Sequence, residues 1–343
     1  MKKYNVAILG ATGAVGQEFL KLIEERNFPF NELKLLASER SAGKTIEFMG
    51  RSYIVEEATP DSFKDVQIAL FAGGSISKTL APEAAKRGAV VIDNSSAFRM
   101  DPDVPLIVPE VNPEAIKNHK GIIANPNCST IIMVMALKPI YDAAKIKRIV
   151  VSTYQAVSGG GKEAIDELTD QVESLVAGRS VEANILPSAS LPKHYQIAFN
   201  LLPQIDVFVE DDYTKEEMKM VHETHKILND YSIGITATTV RVPVYRSHSE
   251  SINIELADAL SPEEAKQLLA KFPGVIVQDS PSEMLYPMPL YTSDKNEVFV
   301  GRIRVDKTVT HGLNMWVVGD QIRKGAALNA VQIAEYMIEH NLI

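Results

Sequence analysis

Apolar and polar residues alternate in short blocks along the first third of the chain. Apolar runs of strand length, bounded by polar residues, glycine or proline, span residues 5–9, 33–37, 68–71, 90–93 and 122–124. Amphipathic segments at 15–26 and 77–87 have the apolar spacing of helices. Because strands and helices alternate, the pattern predicts an α/β fold built on a doubly wound parallel sheet of the Rossmann type.

The pattern changes after residue 128. Longer strands with more regular alternation are predicted at 148–155, 235–242, 251–256 and 298–306, and helices at 162–177, 214–229 and 262–271. This order predicts a second, α+β domain with a mixed or antiparallel sheet. A last helix at 329–340 is expected to dock on the first domain. We therefore predict one domain of residues 1–127 and 326–343 and a second of residues 128–325.

The composition is that of a globular protein, with 45% apolar and 23% charged residues among 343. A formal net charge of −9 argues against general binding to nucleic acid or to an anionic membrane. No apolar stretch is long enough to span a bilayer, and the first apolar run is too short for a signal peptide. We expect a cytoplasmic protein with neither kind of partner.

Cys128 is the only cysteine, so it forms neither an internal disulfide nor a cysteine-clustered metal site. A free cysteine often serves only to pack a core. Here, however, an Asn125-Pro126-Asn127 turn precedes it and an apolar helical run, 130–137, follows. With Asn127 as the N-cap, Cys128 falls in the first turn of a helix. The N–H groups and dipole there favour a thiolate, which predicts a nucleophile.

A glycine-rich turn, GATGAVG at residues 10–16, joins the first strand to the first helix. Glycines there allow the backbone to turn tightly and to approach a pyrophosphate, which then lies at the helix N-terminus. The alternative is a turn that needs glycine for its geometry alone. The strand–turn–helix context favours dinucleotide binding.

The segment Ser38-Glu39-Arg40-Ser41 follows the second strand, where the ribose of a dinucleotide is recognised. An acidic residue there binds the ribose of NAD, whereas an arginine accommodates the additional phosphate of NADP. Both residue types are present here. The alternative is a charged loop that is merely solvated. Arg40 lies, with Glu39, between Ser38 and Ser41, and this favours a pocket for the phosphate of NADP.

Other polar clusters are less specific. A solitary arginine such as Arg99, in SSAFR after the 90–93 strand, could bind an anion but is more often a surface residue. The Ser158-to-Lys162 loop fails the phosphate-loop pattern, and His222 and His225 lie three apart where a zinc helix needs four. No metal site is therefore predicted.

Arg241 and His248 lie in a basic segment at a strand end and turn. A histidine near a cysteine can accept its proton and return it, because the histidine pKa lies near working pH. An arginine fork can hold a carboxylate through two hydrogen bonds. On a predicted helix, Glu223 and Lys226 share a face, although most such pairs are solvated.

Taken together, these motifs resemble the aspartate-semialdehyde dehydrogenase family over nearly the whole chain. The motifs are GATGAVG, SSAFR, NPNCST, YQAVSGGGK, ETHK and RVPVYRSHSE. The resemblance implies interconversion of aspartate 4-semialdehyde, phosphate and NADP⁺ with aspartyl 4-phosphate and NADPH. This reaction serves the biosynthesis of lysine by way of diaminopimelate, and of threonine, methionine and isoleucine.

The resemblance also implies roles for individual residues. Cys128 would be the nucleophile that becomes a thioacyl intermediate, Gln155 would orient the substrate, and His248 would be the acid/base. Arg241 would bind the substrate carboxylate, and Glu223 its ammonium group.

Two further sites follow from the same resemblance. Arg99 and Lys226 would bind phosphate. The residues implied at the NADP site are Gly10, Thr12, Gly13, Ala14, Val15, Arg40, Ser41, Ser158, Gly159 and Gln321. A homodimer is also implied.

Two alternatives remain on sequence grounds. N-acetyl-glutamyl-phosphate reductase resembles the chain in fold and chemistry, but typically has glycine before its cysteine and tyrosine after it, where this chain has Asn127 and Ser129. Its substrate also lacks the free ammonium group that Glu223 would bind. A non-catalytic dinucleotide-sensing protein would not need Cys128, His248 and Arg241 together.

Overall fold

The computed structural model describes residues 2–343 and divides them into two compact units. The first unit contains the chain up to Asn127 together with Gly325–Ile343. The second contains Cys128–Lys324. Across residues 2–343, no helix combines the length and apolar character needed to cross a membrane.

The strands and helices are numbered along the chain. The strands are β1 (Tyr4–Leu9), β2 (Phe30–Ala37), β3 (Thr45–Phe48), β4 (Arg51–Ile54), β5 (Glu56–Glu57), β6 (Ile68–Phe71), β7 (Val90–Asp93), β8 (Ile122–Ala124), β9 (Ile146–Gln155), β10 (Gly234–Arg241), β11 (His248–Leu256), β12 (Val275–Val277), β13 (Val298–Val305) and β14 (Gly312–Gly319). The helices are α1 (Ala14–Glu25), α2 (Ser77–Lys86), α3 (Cys128–Ala144), α4 (Lys162–Val176), α5 (Lys215–Leu228), α6 (Pro262–Lys271), α7 (Pro289–Thr292) and α8 (Leu328–Glu339).

The sheet of the first unit is parallel throughout, in the order β5-β2-β1-β6-β7-β8. Successive residues of β1 face opposite sides, and both sides are buried. Val6 and Ile8 share a core with α1 and α8, whereas Ala7 and Leu9 share one with α2. Coverage of both faces by helices explains why these strands are continuous apolar runs. The predicted doubly wound fold is confirmed.

The glycine-rich turn holds α1 against the end of β1. Gly10 has φ +82°, and a Cβ there would lie 2.5 Å from the carbonyl oxygen of Ala72. At Gly16, a Cβ would lie 2.1 Å from the carbonyl oxygen of Gly10. The helix begins after Gly13 without a side-chain cap. The turn therefore needs glycine at residues 10 and 16, where backbone segments approach closely. No side chain at the N-cap caps the first N–H groups of α1.

The sheet of the second unit is mixed, in the order β10-β9-β11-β14-β13-β12. The pairs β9–β10 and β12–β13 are parallel and the other pairs are antiparallel. Helices α3 and α6 pack against this sheet, and α5 packs against β10 and α3. The predicted second domain with a mixed sheet is confirmed.

Helix α3 is buried on every side from Ser129 to Leu137. A helix that is apolar all round lies in an interior and not on a surface. It begins at Cys128 and continues to Ala144, so it extends beyond the apolar run of residues 130–137 that indicated it. The position of Cys128 is thus fixed by a long, fully packed helix.

Five strands were not predicted from the sequence. Strands β3, β4 and β5 are short and mostly exposed, so they have little apolar pattern. Strand β12 has three residues. Strand β14 lies inside the sheet, but glycine ends it on both sides. One of these, Gly319, is required by packing, since a Cβ there would lie 2.9 Å from Cγ1 of Ile132 on α3.

We expect Gly16→Ala to destabilise the first unit by about 1–3 kcal/mol, the usual cost of overpacking, because backbone surrounds the new methyl group. Gly13→Ala is the matched control, since its Cβ would make an ordinary contact at 3.4 Å. Thermal unfolding of both variants tests this. Equal unfolding temperatures for the two variants would contradict the close approach.

Candidate active site

Sheet register brings three of the predicted residues to one edge of the second unit. Arg241, the last residue of β10, pairs with Gln155, the last residue of β9. On the other side of β9, Tyr154 pairs with Ser249. His248 begins β11 one residue earlier and therefore lies beside Gln155. Residues in register point to the same face of a sheet, so these three side chains form a polar row.

The position of His248 corrects the sequence interpretation, which put it in a turn before a strand at 251–256. Strand β11 begins at His248, which pairs with Gly319 of β14. The run from His248 to Ser251 is polar, so it lacks the alternation that marks a strand. Its neighbours on both sides supply the hydrogen bonds that extend the strand.

Cys128 is the first residue of α3 and is partly exposed. One turn later, Ile132 packs on Gly319, the register partner of His248. The first turn of α3 therefore lies over the polar row. Partial exposure at a helix N-terminus is the environment of a reactive cysteine and not of a packing one.

Arg241 is 4% exposed, which is unusual for a guanidinium group. Its Nη1 donates to the carbonyl oxygen of Ala156 at 2.8 Å, and its Nε is buried without a hydrogen-bond partner in the described chain. Burial lowers the Arg241 pKa, while the charges of Glu216 and Cys128 raise it. Because this attraction is mutual, a cationic Arg241 favours the thiolate of Cys128.

His248 is completely buried. Its Nδ1 accepts the N–H of Ala156 at 3.0 Å, and its Nε2 has no hydrogen-bond partner within residues 2–343. Burial, followed by the charge of Arg241, lowers the His248 pKa to about 3 against a smaller opposite effect of Glu216. The imidazole is therefore neutral at physiological pH.

Gly159 has no side chain and so leaves room for the side chains of Arg241 and His248. A Cβ there would lie 2.8 Å from Nη1 of Arg241 and 3.3 Å from Nε2 of His248. Nearby, Gln321 connects two loops: its Nε2 donates to Oγ of Ser158, and its Oε1 accepts the N–H of Ser247 at 2.9 Å. Both Gln321 and Ser158 are buried.

Glu223 and Lys226 are not the solvated helix pair that sequence statistics favour. Glu223 is 1% exposed, and Lys226 is half-buried. Two helical turns earlier on α5, Glu216 is also buried, and its charge acts on Arg241. Glu216 thus lies close to the polar row, and Glu223 shares its face of α5.

Glu216 is a residue that sequence reasoning missed. Its Oε1 accepts Nε2 of Gln155 at 3.4 Å, and its Oε2 pairs with Lys219 at 2.9 Å. Lys219 also pairs with Asp206 at 3.1 Å. Burial opposes the charge of Lys219, but Glu216 and Asp206 together raise its pKa. The only available signal was the seven-residue spacing from Glu223, which places both on one helix face.

Glu250 is another buried acid that sequence reasoning missed. It lies two residues beyond His248, on the same face of β11. It is completely buried, and neither carboxyl oxygen has a hydrogen-bond partner in the described chain. Burial raises its pKa well above the ordinary 4.5. Burial therefore favours the protonated, uncharged form of this side chain.

In the first unit, Arg99 is 7% exposed, so the expectation of a surface arginine was wrong. Its Nε donates to the carbonyl oxygen of Asn125 at 3.0 Å, and its Nη2 donates to that of Asn94 at 2.8 Å. Asn125 is held in turn by Nδ2 of Asn329 on α8 at 2.7 Å. Backbone carbonyls and a buried amide network thus fix the Arg99 fork.

The predicted cofactor residues of the first unit lie at the ends of β1 and β2. Thr12 and Gly13 are exposed in the glycine turn, and Ala14 and Val15 begin α1. Arg40 is exposed in the turn after β2, and Ser41 is buried beside it. A glycine cradle at an uncapped helix start fits a pyrophosphate. Residues 2–343 contain no cluster of three or more histidine, cysteine or acidic side chains placed to hold a metal ion.

Comparison with known proteins assigns both units to one family. Residues 5–119 match the NAD binding domain of semialdehyde dehydrogenases, and residues 137–324 match their dimerisation domain. The chain belongs to the aspartate-semialdehyde dehydrogenase family, because relatives of that name match it over nearly its full length. It is therefore an oxidoreductase with a nicotinamide dinucleotide-binding domain.

Full-length relatives support this family assignment. Aspartate-semialdehyde dehydrogenase of Aquifex aeolicus is 60% identical and that of Bacillus subtilis 54%, each with 99% of both chains covered. The solved aspartate semialdehyde dehydrogenase II of Vibrio cholerae, complexed with ASA, superposes with a TM-score of 0.94 at 49% identity and 99% coverage of both chains. These matches favour this family over the reductase and the non-catalytic sensor.

We expect Gly159→Ala to lower kcat/KM of this family's reaction about 100-fold, because displacements of about 1 Å at reacting groups have effects of that size. The matched control is Gly160→Ala, whose Cβ would lie 3.0 Å from Cβ of Ala164 and would touch neither Arg241 nor His248. Steady-state kinetics of both variants tests this. Equal activities would show that Gly159 does not make room for the row.

We expect Glu250→Gln to change how stability depends on pH. In the unfolded chain this carboxyl ionises near pH 4.5, while in the folded chain burial raises its pKa, so that it ionises only at higher pH. The wild-type free energy of unfolding then falls as pH rises above that value, by up to about 1.4 kcal/mol per unit. Glutamine does not titrate, so the variant should gain stability relative to wild type between pH 5 and pH 8. A pH-independent difference in thermal unfolding would contradict the protonated state.

Proposed function

We propose that the chain catalyses the reversible, NADP-dependent, phosphorylating oxidation of L-aspartate 4-semialdehyde to L-4-aspartyl phosphate through a thioester on Cys128. The observation that carries this proposal is the chain's one thiol, partly exposed at a helix start, whose charge interacts with that of the buried Arg241. The biosynthetic direction reduces the acyl phosphate. This direction would supply the pathways to lysine, threonine, methionine and isoleucine.

The thiolate of Cys128 attacks the aldehyde carbon, with Gln155 orienting the substrate. When bound, the nicotinamide cofactor accepts the hydride that leaves this adduct. The resulting thioester retains enough acyl-transfer potential for phosphate to take over the acyl group. His248 faces the reacting atoms through Nε2, which has no hydrogen-bond partner in the described chain, and it would serve as the acid/base.

Substrate recognition follows from the charges of the site. Arg241 binds the α-carboxylate as a fork, supported by its buried Nε that has no protein partner. Glu223 binds the ammonium group. Arg99 and Lys226 bind phosphate, with Arg99 held in place by two backbone carbonyls.

The cofactor site of the proposal uses both the glycine turn and the loop after β2. Arg40 is exposed and would pair with the 2′-phosphate of NADP. A related aspartate semialdehyde dehydrogenase, from Candida albicans, was solved with NADP; it has 26% identity, full coverage of both chains and a TM-score of 0.77. Ser158, Gly159 and Gln321 would complete the site.

We also infer a homodimer, since residues 137–324 match a dimerisation domain. Sedimentation at working concentration distinguishes a dimer from a monomer. A single cysteine that reacts as a thiol would fit a reducing, cytoplasmic location.

We expect Cys128→Ala to abolish turnover while leaving NADP affinity within about twofold, because the thiol contributes only to chemistry. Steady-state kinetics and a fluorescence titration with NADPH measure the two effects. Substantial residual turnover in Cys128→Ala would rule out the thioester route.

We expect Arg40→Ala to weaken NADP binding about 10- to 100-fold and to leave NAD binding unchanged, since a hydrogen bond to a charged group contributes about 1.5–3 kcal/mol. Glu39→Gln is the matched control and should leave NADP affinity unchanged. Calorimetric titration with each dinucleotide measures both. A loss of NAD affinity in Glu39→Gln, with no effect of Arg40→Ala, would instead indicate an NAD enzyme.

A further inference from the structure

Glu216 is a buried acid that the proposed reaction does not use. It lies in the first turn of α5 and is 5% exposed. Its Oε1 accepts Nε2 of Gln155 at 3.4 Å, and its Oε2 accepts Nζ of Lys219 at 2.9 Å. A buried carboxylate is costly unless partners compensate for the lost water. One partner of Glu216 is the residue proposed to orient the substrate, so its position bears on the reaction.

We propose that Glu216 is a positioning residue, whose charged carboxylate holds the side-chain amide of Gln155 in one of its two possible orientations. Glu216 acts through Gln155 and does not touch the substrate. This inference rests on the proposed function, because it assigns the support of a residue that the reaction uses.

The hydrogen bonds of Gln155 show how this orientation is selected. Its Nε2 donates to Oγ1 of Thr153 at 3.2 Å and to Oε1 of Glu216 at 3.4 Å. A side-chain amide has two N–H donors on its nitrogen and only acceptor positions on its oxygen. The hydroxyl of Thr153 can donate or accept, so it fits either end of the amide, whereas a carboxylate only accepts. Glu216 is therefore the partner that places the nitrogen, and not the oxygen, towards α5.

The backbone holds both acceptors in place. Thr153 is completely buried in β9, where it pairs with Thr239 of β10. A capping box of Thr214 and Glu217 fixes the start of α5. Oε1 of Glu217 also accepts the N–H of Thr239 at 2.9 Å. This hydrogen bond ties the first turn of α5, and with it Glu216, to the strand beside β9.

A neighbouring cation favours the charged form of Glu216. Lys219 lies one turn further along α5 and is largely buried, with 19% of its side chain exposed. It also pairs with Asp206 at 3.1 Å. Burial opposes the charge of Lys219, but the two carboxylates together raise its pKa. Because the attraction is mutual, the Lys219 cation stabilises the carboxylate of Glu216.

The charge of Glu216 also acts on Arg241. Burial lowers the Arg241 pKa, and the charge of Glu216 is the larger of the two that raise it. Removal of this charge leaves the guanidinium with less counter-charge, so it does not weaken the attraction of Arg241 for a substrate carboxylate. Loss of the Glu216 charge should thus affect turnover and not substrate affinity, whereas general damage to the site would affect both.

Glu216→Gln is the direct test, because it keeps the size of the side chain and removes its charge. We expect kcat to fall about 10- to 100-fold, since displacements of up to about 1 Å at reacting groups have effects of that size. The KM of aspartate semialdehyde should not rise, for the reason given by the charge of Arg241.

The matched control is Glu217→Gln, a buried acid of the same helical turn. Its carboxylate accepts the backbone N–H groups of Thr214 and Thr239, at 2.7 and 2.9 Å, and no side chain of the polar row. This variant should lower the unfolding temperature and leave kcat unchanged. Equal kcat values for the two variants, or a raised KM in Glu216→Gln, would overturn the proposal.

A double-mutant cycle shows whether Glu216 acts through Gln155. In a Gln155→Ala background, which has no amide to position, Glu216→Gln should change kcat by no more than about twofold, as expected when the coupled partner is gone. The same loss in both backgrounds would mean that Glu216 acts by another route, and the proposal would be overturned.

Neutron diffraction from a deuterated crystal of the wild-type apoenzyme tests the orientation without turnover. The two deuterons on Nε2 of Gln155 should point at Thr153 and Glu216, and the carboxyl group of Glu216 should carry none. An amide oxygen towards Glu216, or a deuteron on its carboxyl group, overturns the proposal. Wild-type turnover of aspartate semialdehyde with phosphate and NADP⁺ is measured first. Its absence contradicts the proposed function, whereas the neutron result bears on this inference alone.

Discussion

The site depends on a positive charge that the protein keeps out of water. Arg241 is almost fully buried, and burial alone would make its cation costly. The charges of Glu216 and Cys128 offset that cost in part, and a hydrogen bond to Ala156 fixes the guanidinium. The same charge favours a thiolate at Cys128, and it adds to burial, the larger cause, in lowering the pKa of His248. The buried cation thus acts electrostatically on both Cys128 and His248.

The rest of the second unit keeps these groups in register. The parallel pairing of β9 with β10 and the antiparallel pairing of β9 with β11 bring Arg241, Gln155 and His248 to one edge. Helix α3 lies over this edge because Gly319 lets Ile132 approach closely. Ala156 then serves two side chains at once, donating its N–H to one and offering its carbonyl oxygen to the other. The geometry of the candidate site thus follows largely from strand pairing.

Much of the fold was predictable from the sequence, because buried parallel strands and amphipathic helices leave strong apolar patterns. Strand β14 was not, since its glycines are required by packing against a helix distant in sequence. In the candidate site, the position of Cys128 at a helix start was predictable from the turn before it and the apolar run after it, whereas Glu216 needed the tertiary structure, as its neighbours come from other elements. The burial of Arg99 and Glu223 depends on long-range packing in the same way. The local pattern of apolar and polar residues does not predict which polar side chains become buried in the fold.

The central claim is that Cys128 is a thiolate in the resting enzyme because of the buried Arg241 cation. Since the chain has one cysteine, the ultraviolet absorbance of the thiolate reports on this residue alone. The most direct measurement is a pH titration of that absorbance in the apoenzyme, with Cys128→Ala as the blank. A midpoint well below the ordinary thiol pKa of about 8.5 is predicted. A midpoint at or above that value would contradict the account.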